Sequence, residues 1–260
     1  NDACIKHWQY EKRNLTLLKP FLENHYESLF VLPLNTEIVT GSDKYIESWD
    51  INSCQRTIVV RSKQHISVIA WWKQGKYLIE GGGGNFGPYN IHIRKWHRNN
   101  YTSKEHGEIT ATFIGHKTEI FALLVDEQKD ELLSCCSYEI IIWSLNTGKI
   151  KKRITDQLFN CVCKINDNLL LTANEEKYTE VIKLWNIETG LCIQTVKTAH
   201  LKRINALVYD VDSSTIISAS DDKTVKLWLL NSDKITAKCI VQNPFNESCT
   251  SLAVFMAQTR

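Results

Sequence analysis

Tryptophan recurs along this chain at Trp8, Trp49, Trp96, Trp143, Trp185 and Trp228, at intervals of 41, 47, 47, 42 and 43 residues. Each follows a short, mostly apolar phrase, as in YIESWD, EIIIWS, VIKLWN and TVKLWL, and only Trp71 and Trp72 lie outside the series. A period of this length dictates stacked units, because one unit cannot bury its apolar surface alone.

The units share an internal order. A histidine comes first (His25, His65, His116, His200), then an apolar stretch, then a short run ending in a hydroxyl residue: Thr40, Ser134, Thr172 or Ser218. A turn and the tryptophan strand follow, and a second turn such as NTG (146–148) or ETG (188–190) leads into a last strand. In TVKLW, Val225 and Leu227 face one way, Lys226 and Trp228 the other, so both faces carry apolar surface. Four short strands per unit, covered on both faces by neighbouring units, predict an all-β chain of radially stacked sheets. No segment sustains the i, i+3, i+4, i+7 stripe of a helix.

Gly115-His116 is the one complete GH at the start of a unit and Trp49-Asp50 the one complete WD at an end; the other units keep the Trp and replace the Asp with Gln, His, Ser, Asn or Leu. In this the unit resembles the WD-repeat family over essentially the whole chain. The resemblance implies a WD-repeat β-propeller. The spacing gives six blade equivalents, five whole and one split between the termini, with a parent ring of six or seven blades. Residues 1–260 are expected to form a single domain, a piece of a longer protein.

The resemblance also implies a structural hydrogen-bond set within a blade. His200, Ser218, Asp222 and Trp228 match it in full, and His25, Thr40, Asp43 and Trp49 resemble it. Buried Asp and indole groups need such partners, because an unpaired buried polar group is costly. Elsewhere Asn90, Ser137 and Thr179 stand where the Asp is expected, and the unit from about 157 has no His. Ser and Thr residues inside apolar strands are structural here, since a catalytic serine must be an exposed nucleophile.

Partners of this family usually sit on one face near the channel. Carried over by alignment, that face includes Phe30, Phe121, Tyr178, Arg203, Asn205 and Asp221. Exposed aromatics there are typical anchors. The run Gly81–Tyr89 reads as a loop lengthening the turn before Trp96, with Phe86 and Tyr89 as further contact candidates. It is not a phosphate loop, because no Lys-Ser/Thr follows at the required spacing.

Thirty-one basic and 29 acidic residues give a net charge of +2, which makes no case for nucleic acid or a membrane surface. Nine cysteines, an odd number scattered along strands, suit reduced thiols in a cytoplasmic protein. Cys161-Val-Cys163 is not a CxxC pair, and no metal or cofactor is expected. The expected function is a non-catalytic scaffold or adaptor binding other proteins within a multiprotein complex. The alternatives are a substrate-recognition subunit of a ubiquitin ligase and a regulatory propeller domain of a larger enzyme.

Overall fold

The structure, a computed structural model, describes residues 6–11, 14–20, 28–31, 37–42, 45–50, 53, 56–62, 64–83, 89–96, 107–198, 200–231, 234–242 and 248–249. Side chains are described from 38 onward, except at 42, 57–59, 241 and 242. The chain divides into two compact units, one of Asn1–Ser134 with Trp143–Ile150, the other of Cys135–Ile142 with Lys151–Arg260.

Every described element is a strand, and the strands form antiparallel sheets in chain order. A two-stranded pair, β1 (Lys6–Glu11) and β2 (Asn14–Pro20), comes first. Five four-stranded sheets follow. They are β3 (Ser28–Val31) to β6 (Arg56–Arg61) through β4 (Glu37–Ser42) and β5 (Tyr45–Asp50); and β7 (Ile66–Trp72) to β10 (Ile109–Ile114) through β8 (Tyr77–Gly82) and β9 (Asn90–Lys95). Next is β11 (Ile120–Asp126) to β14 (Ile150–Thr155) through β12 (Glu131–Cys136) and β13 (Glu139–Ser144). The last two are β15 (Phe159–Lys164), β16 (Leu169–Glu176), β17 (Thr179–Asn186) and β18 (Cys192–Lys197), then β19 (Ile204–Asp210), β20 (Thr215–Ser220), β21 (Thr224–Asn231) and β22 (Lys234–Gln242). Of the sixth unit expected to be split between the termini, β1 and β2 lie within the described residues and the expected C-terminal strand lies outside them.

Within each unit the apolar residues of neighbouring sheets pack face to face. In the second unit Leu171, Ala173, Ile182 and Leu184 pack with Ile204, Leu207, Ile216 and Trp228 in one cluster. In the first unit Val39, Ile46, Ile66, Ile69, Leu78, Trp71 and Trp96 form another. Burying a side chain of this size contributes about 1.5–3 kcal/mol relative to exposure.

A β-bulge marks the tryptophan position. Trp49, Trp185 and Trp228 lie opposite Ile38, Leu170 and Ile216, and the outer strand shifts register beside each of them. Such bulges bend and twist the strand. In the sheet β7–β10 that place belongs to Arg94, which lies opposite Leu78 and has the same shift at Ile109/Ala111. This corrects the sequence ladder at one rung. Trp96 stands two residues further on, past the end of β9, and packs edge-on against Trp71 with ring centroids 5.6 Å apart. Asn90, six residues before Trp96, therefore does not mark the acid position in this sheet.

The glycine run is corrected too. Gly81 and Gly82 are strand residues of β8, not loop. A Cβ on Gly82 would lie 2.4 Å from the His65 carbonyl oxygen and 2.7 Å from the Ser67 nitrogen. Glycine there lets β8 close on β7.

Candidate functional site

The repeated hydrogen-bond chains come first, because they fix which polar groups are free to act. Trp228 Nε1 donates to Ser218 Oγ at 3.0 Å, Ser218 Oγ meets His200 Nε2 at 2.9 Å, and His200 Nδ1 meets Asp222 Oδ2 at 2.9 Å. The Asp222 carboxylate only accepts, which places the proton of the neutral imidazole on Nδ1 and leaves Nε2 to accept from the Ser218 hydroxyl. Burial lowers the His200 pKa further than Asp222 raises it. Burial alone would raise Asp222, but hydrogen bonds from Thr224, the Leu201 N–H and His200 hold it well below the usual carboxylate range.

The other sheets keep parts of this chain. Trp49 Nε1 donates to Thr40 at 3.2 Å; His25 and Asp43 lie outside the described residues. Trp143 Nε1 donates to Ser134 at 2.7 Å, and His116 Nε2 meets the same hydroxyl at 2.6 Å.

Two sheets rebuild the chain from residues the sequence reading missed. In the sheet without a histidine, Trp185 Nε1 donates to Thr172 at 2.9 Å and Thr172 donates to Asn174 Oδ1 at 2.6 Å. The Asn174 amide then donates to Asp156 at 3.3 Å and to the Gln157 carbonyl at 3.0 Å. Asn174 thus does the work of the histidine. Lys183 closes the set through ion pairs with Asp156 and Glu176. Burial opposes its charge, but those two carboxylates raise its pKa overall.

In the sheet β7–β10, Glu80 occupies the hydroxyl position and Arg94 the indole position. Arg94 Nε and Nη2 donate to Glu80 at 2.9 and 3.0 Å, Nη1 donates to the Gly107 carbonyl at 2.7 Å, and Ser62 donates to Glu80 at 2.8 Å. Both charged side chains are buried.

None of this gives a nucleophile. Ser218 and His200 are buried and committed to each other. Burial pushes the Cys161 thiol up to about 12 and raises Cys135 as well.

The partner candidates fall differently. Tyr178 is 98% exposed at the tip of the β16–β17 hairpin, and Arg203 is exposed just before β19. Asn205 and Asp221 are half-buried and joined, the amide donating to the carboxylate at 2.7 Å and to the Cys249 carbonyl at 3.1 Å. Phe121 is half-buried in β11 and Tyr89 half-buried just before β9. Phe30 lies in β3 opposite Val39, its side chain outside the described set, as is all of Phe86.

Tyr178 and Arg203 share one end of the second unit with residues the sequence did not single out. The connecting segment holding Leu158 and the β16–β17 turn meet at the same end of their sheet, since Phe159 pairs with Asn174. The Asp156 N–H donates to the Tyr138 carbonyl at 3.2 Å, and the Ile204 N–H donates to Glu180 at 3.2 Å, which brings in the segment of Leu201 and Arg203. Tyr138, Leu158 and Leu201 are 53%, 40% and 89% exposed.

Residues 190–228, the segment that carries His200, Ser218, Asp222 and Trp228, match the family model described as WD domain, G-beta repeat. Autophagy-related protein 16 of Arabidopsis thaliana is 21% identical over 76% of this chain and 36% of its own length. Elongator complex protein 2 of the same plant is 25% identical over 54% of this chain and 18% of its own. This chain therefore spans little more than a third of the first relative and less of the second. Among solved structures, a chain of the mitotic checkpoint complex superimposes with a TM-score of 0.75 at 18% identity, covering 95% of this chain and 74% of its own. That likeness concerns the fold alone.

Proposed function

We propose, from the premise that this chain is a WD-repeat protein of the β-propeller class, that it is a non-catalytic scaffold holding partner proteins within a multiprotein complex. Proteins built on this repeat are generally interaction scaffolds. One observation carries the reading for this chain. At one end of the second unit the histidine, serine and aspartate are consumed in buried structural bonds, while large apolar side chains from four separate connections stand in solvent. Exposed aromatic and aliphatic groups gathered this way are what an interface buries. One similar protein, Elongator complex protein 2, is named for an assembly.

A cytoplasmic location belongs to this proposal. The seven described cysteines are all free thiols, which suits a reducing compartment.

The test is affinity purification of the full chain beside its Tyr178→Ala/Leu201→Asp variant, both checked for equal thermal melting. Loss of specific partners from the variant is expected. An unchanged partner set would sink the assignment of binding to this end.

A further inference from the structure

Four apolar side chains line the end of the second unit: Tyr138, Leu158, Tyr178 and Leu201. Two are held there at conformational cost. Lys177 and Tyr178 form a two-residue hairpin turn with φ of 47° and 65°, flanked by the Glu176–Thr179 pair. That turn needs positive φ at both positions and is easiest for Asn-Gly, so a lysine and a tyrosine strain it. Leu158 has a φ of 44°.

Between these apolar groups lies an electrostatic misfit. Glu175 and Glu180 are directly opposite each other across β16 and β17. Like charges in that relation destabilise a sheet. Glu180 is only 7% exposed, and its Oε2 accepts from the Ile204 N–H at 3.2 Å and from Asn160 at 3.3 Å. Burial raises its pKa and Glu175 adds to the rise, while Arg203 lowers it from a distance. Arg203 itself is exposed and, among the described residues, makes no ion pair.

The geometry points to a basic, apolar polypeptide segment as the occupant of this end: its apolar side chains cover Leu158, Tyr178 and Leu201, and its arginine or lysine reaches Glu175, the less buried member of the Glu175–Glu180 pair. This rests on the scaffold reading above and names the partner chemistry for it. An incoming cation neutralises the misfit in a partly desolvated place, where charge-assisted hydrogen bonds are strongest. The Tyr178 ring offers it a π face as well.

The test uses the full chain and fluorescein-labelled synthetic peptides with leucines at alternate positions and Arg, Lys, Gln or Glu at the centre, read by fluorescence anisotropy. The Arg and Lys peptides are expected to bind about tenfold or more tighter than the Gln peptide, the scale of one charge-assisted contact. Glu175→Gln/Glu180→Gln should erase that preference. Arg203→Ala should strengthen the Arg peptide by removing a competing cation. Tighter binding of the Glu peptide, or loss of binding in Arg203→Ala, would reverse the sign of the partner and overturn the proposal, as would equal affinities or no binding of any peptide. Partner capture that still depends on Tyr178 and Leu201, beside equal Arg and Gln affinities, would leave the scaffold reading standing and remove only the basic segment.

Discussion

Arg94 grips Glu80 through two hydrogen bonds of 2.9 and 3.0 Å, inside the protein, where four other sheets join a tryptophan to a hydroxyl. The substitution changes the energetics of the position. An indole N–H on a hydroxyl is a neutral bond worth about 1 kcal/mol net. A buried ion pair carries a large desolvation cost, offset only while both partners are present. Arg94→Met should therefore destabilise the protein by about 3–5 kcal/mol, because Glu80 is left buried and charged. Arg94→Met/Glu80→Leu should regain most of that loss. Urea unfolding of the single and double variants checks both, and equal stability of Arg94→Met and wild type would remove the ion pair from the account.

Asn174→Ala should cost about 1–3 kcal/mol, since it leaves the Thr172 hydroxyl without its acceptor and Asp156 without one of its donors inside the sheet. Urea unfolding of the variant beside wild type measures it, and Trp185, whose indole bonds the same Thr172, lies in the sheet affected. An unchanged midpoint would mean that Asn174 does not replace the histidine.

Gly82→Ala should destabilise by about 1–3 kcal/mol through the collision with the backbone at His65 and Ser67. Gly81→Ala should cost less. Its added Cβ meets only the side chains of Ile120, Val68 and Leu123, at 3.2–3.4 Å, and these can give way. Thermal melts of the two variants test the order.

His200 titrates below its ordinary value in the folded protein, so the unfolded chain binds a proton more readily. Its contribution to stability is complete above about pH 6.5, the ordinary value, and is lost as pH falls through the folded pKa. The melting temperature should begin to drop below about pH 6.5, ahead of the carboxylates. Imidazole NMR titration gives the folded value, and a His200 shift above the ordinary one would contradict the direction.

Glu180 has the opposite sign. Its pKa is raised by burial, so its contribution is fully present below about pH 4.3 and is lost as pH rises through the folded value. Glu180→Gln should accordingly raise the melting temperature at pH 7 and leave it unchanged near pH 4. A drop at pH 7 would show that the bonds from Ile204 and Asn160 outweigh the burial.

The tryptophan spacing made the sheets legible because most units place an indole where the outer strand bulges, as at Trp49, Trp185 and Trp228. It misplaced one rung for a physical reason. Strand side chains alternate with a period of two, so Arg94 and Trp96 share a face, and sequence cannot tell which lies opposite Leu78. Asn174 was hidden because it replaces a histidine from a different segment: His200 precedes its sheet, whereas Asn174 sits within β16, two residues after its hydroxyl partner. Leu158 and Leu201 were illegible since leucine in an apolar protein reads as core. Only the turns that carry them put them in solvent. Tyr178 was legible because its neighbours in NEEKYTE are polar.

The Gln194 side chain treats Ile235 as a strand would: its amide donates to the Ile235 carbonyl at 3.3 Å, and its oxygen accepts the Ile235 N–H at 2.7 Å. One side chain thus splices β18 to the start of β22. Fraying of the outer strands is then a shared event. The Ile235 amide should exchange its hydrogen for deuterium on the schedule of both sheets together, and these eight strands should open as a single cooperative block.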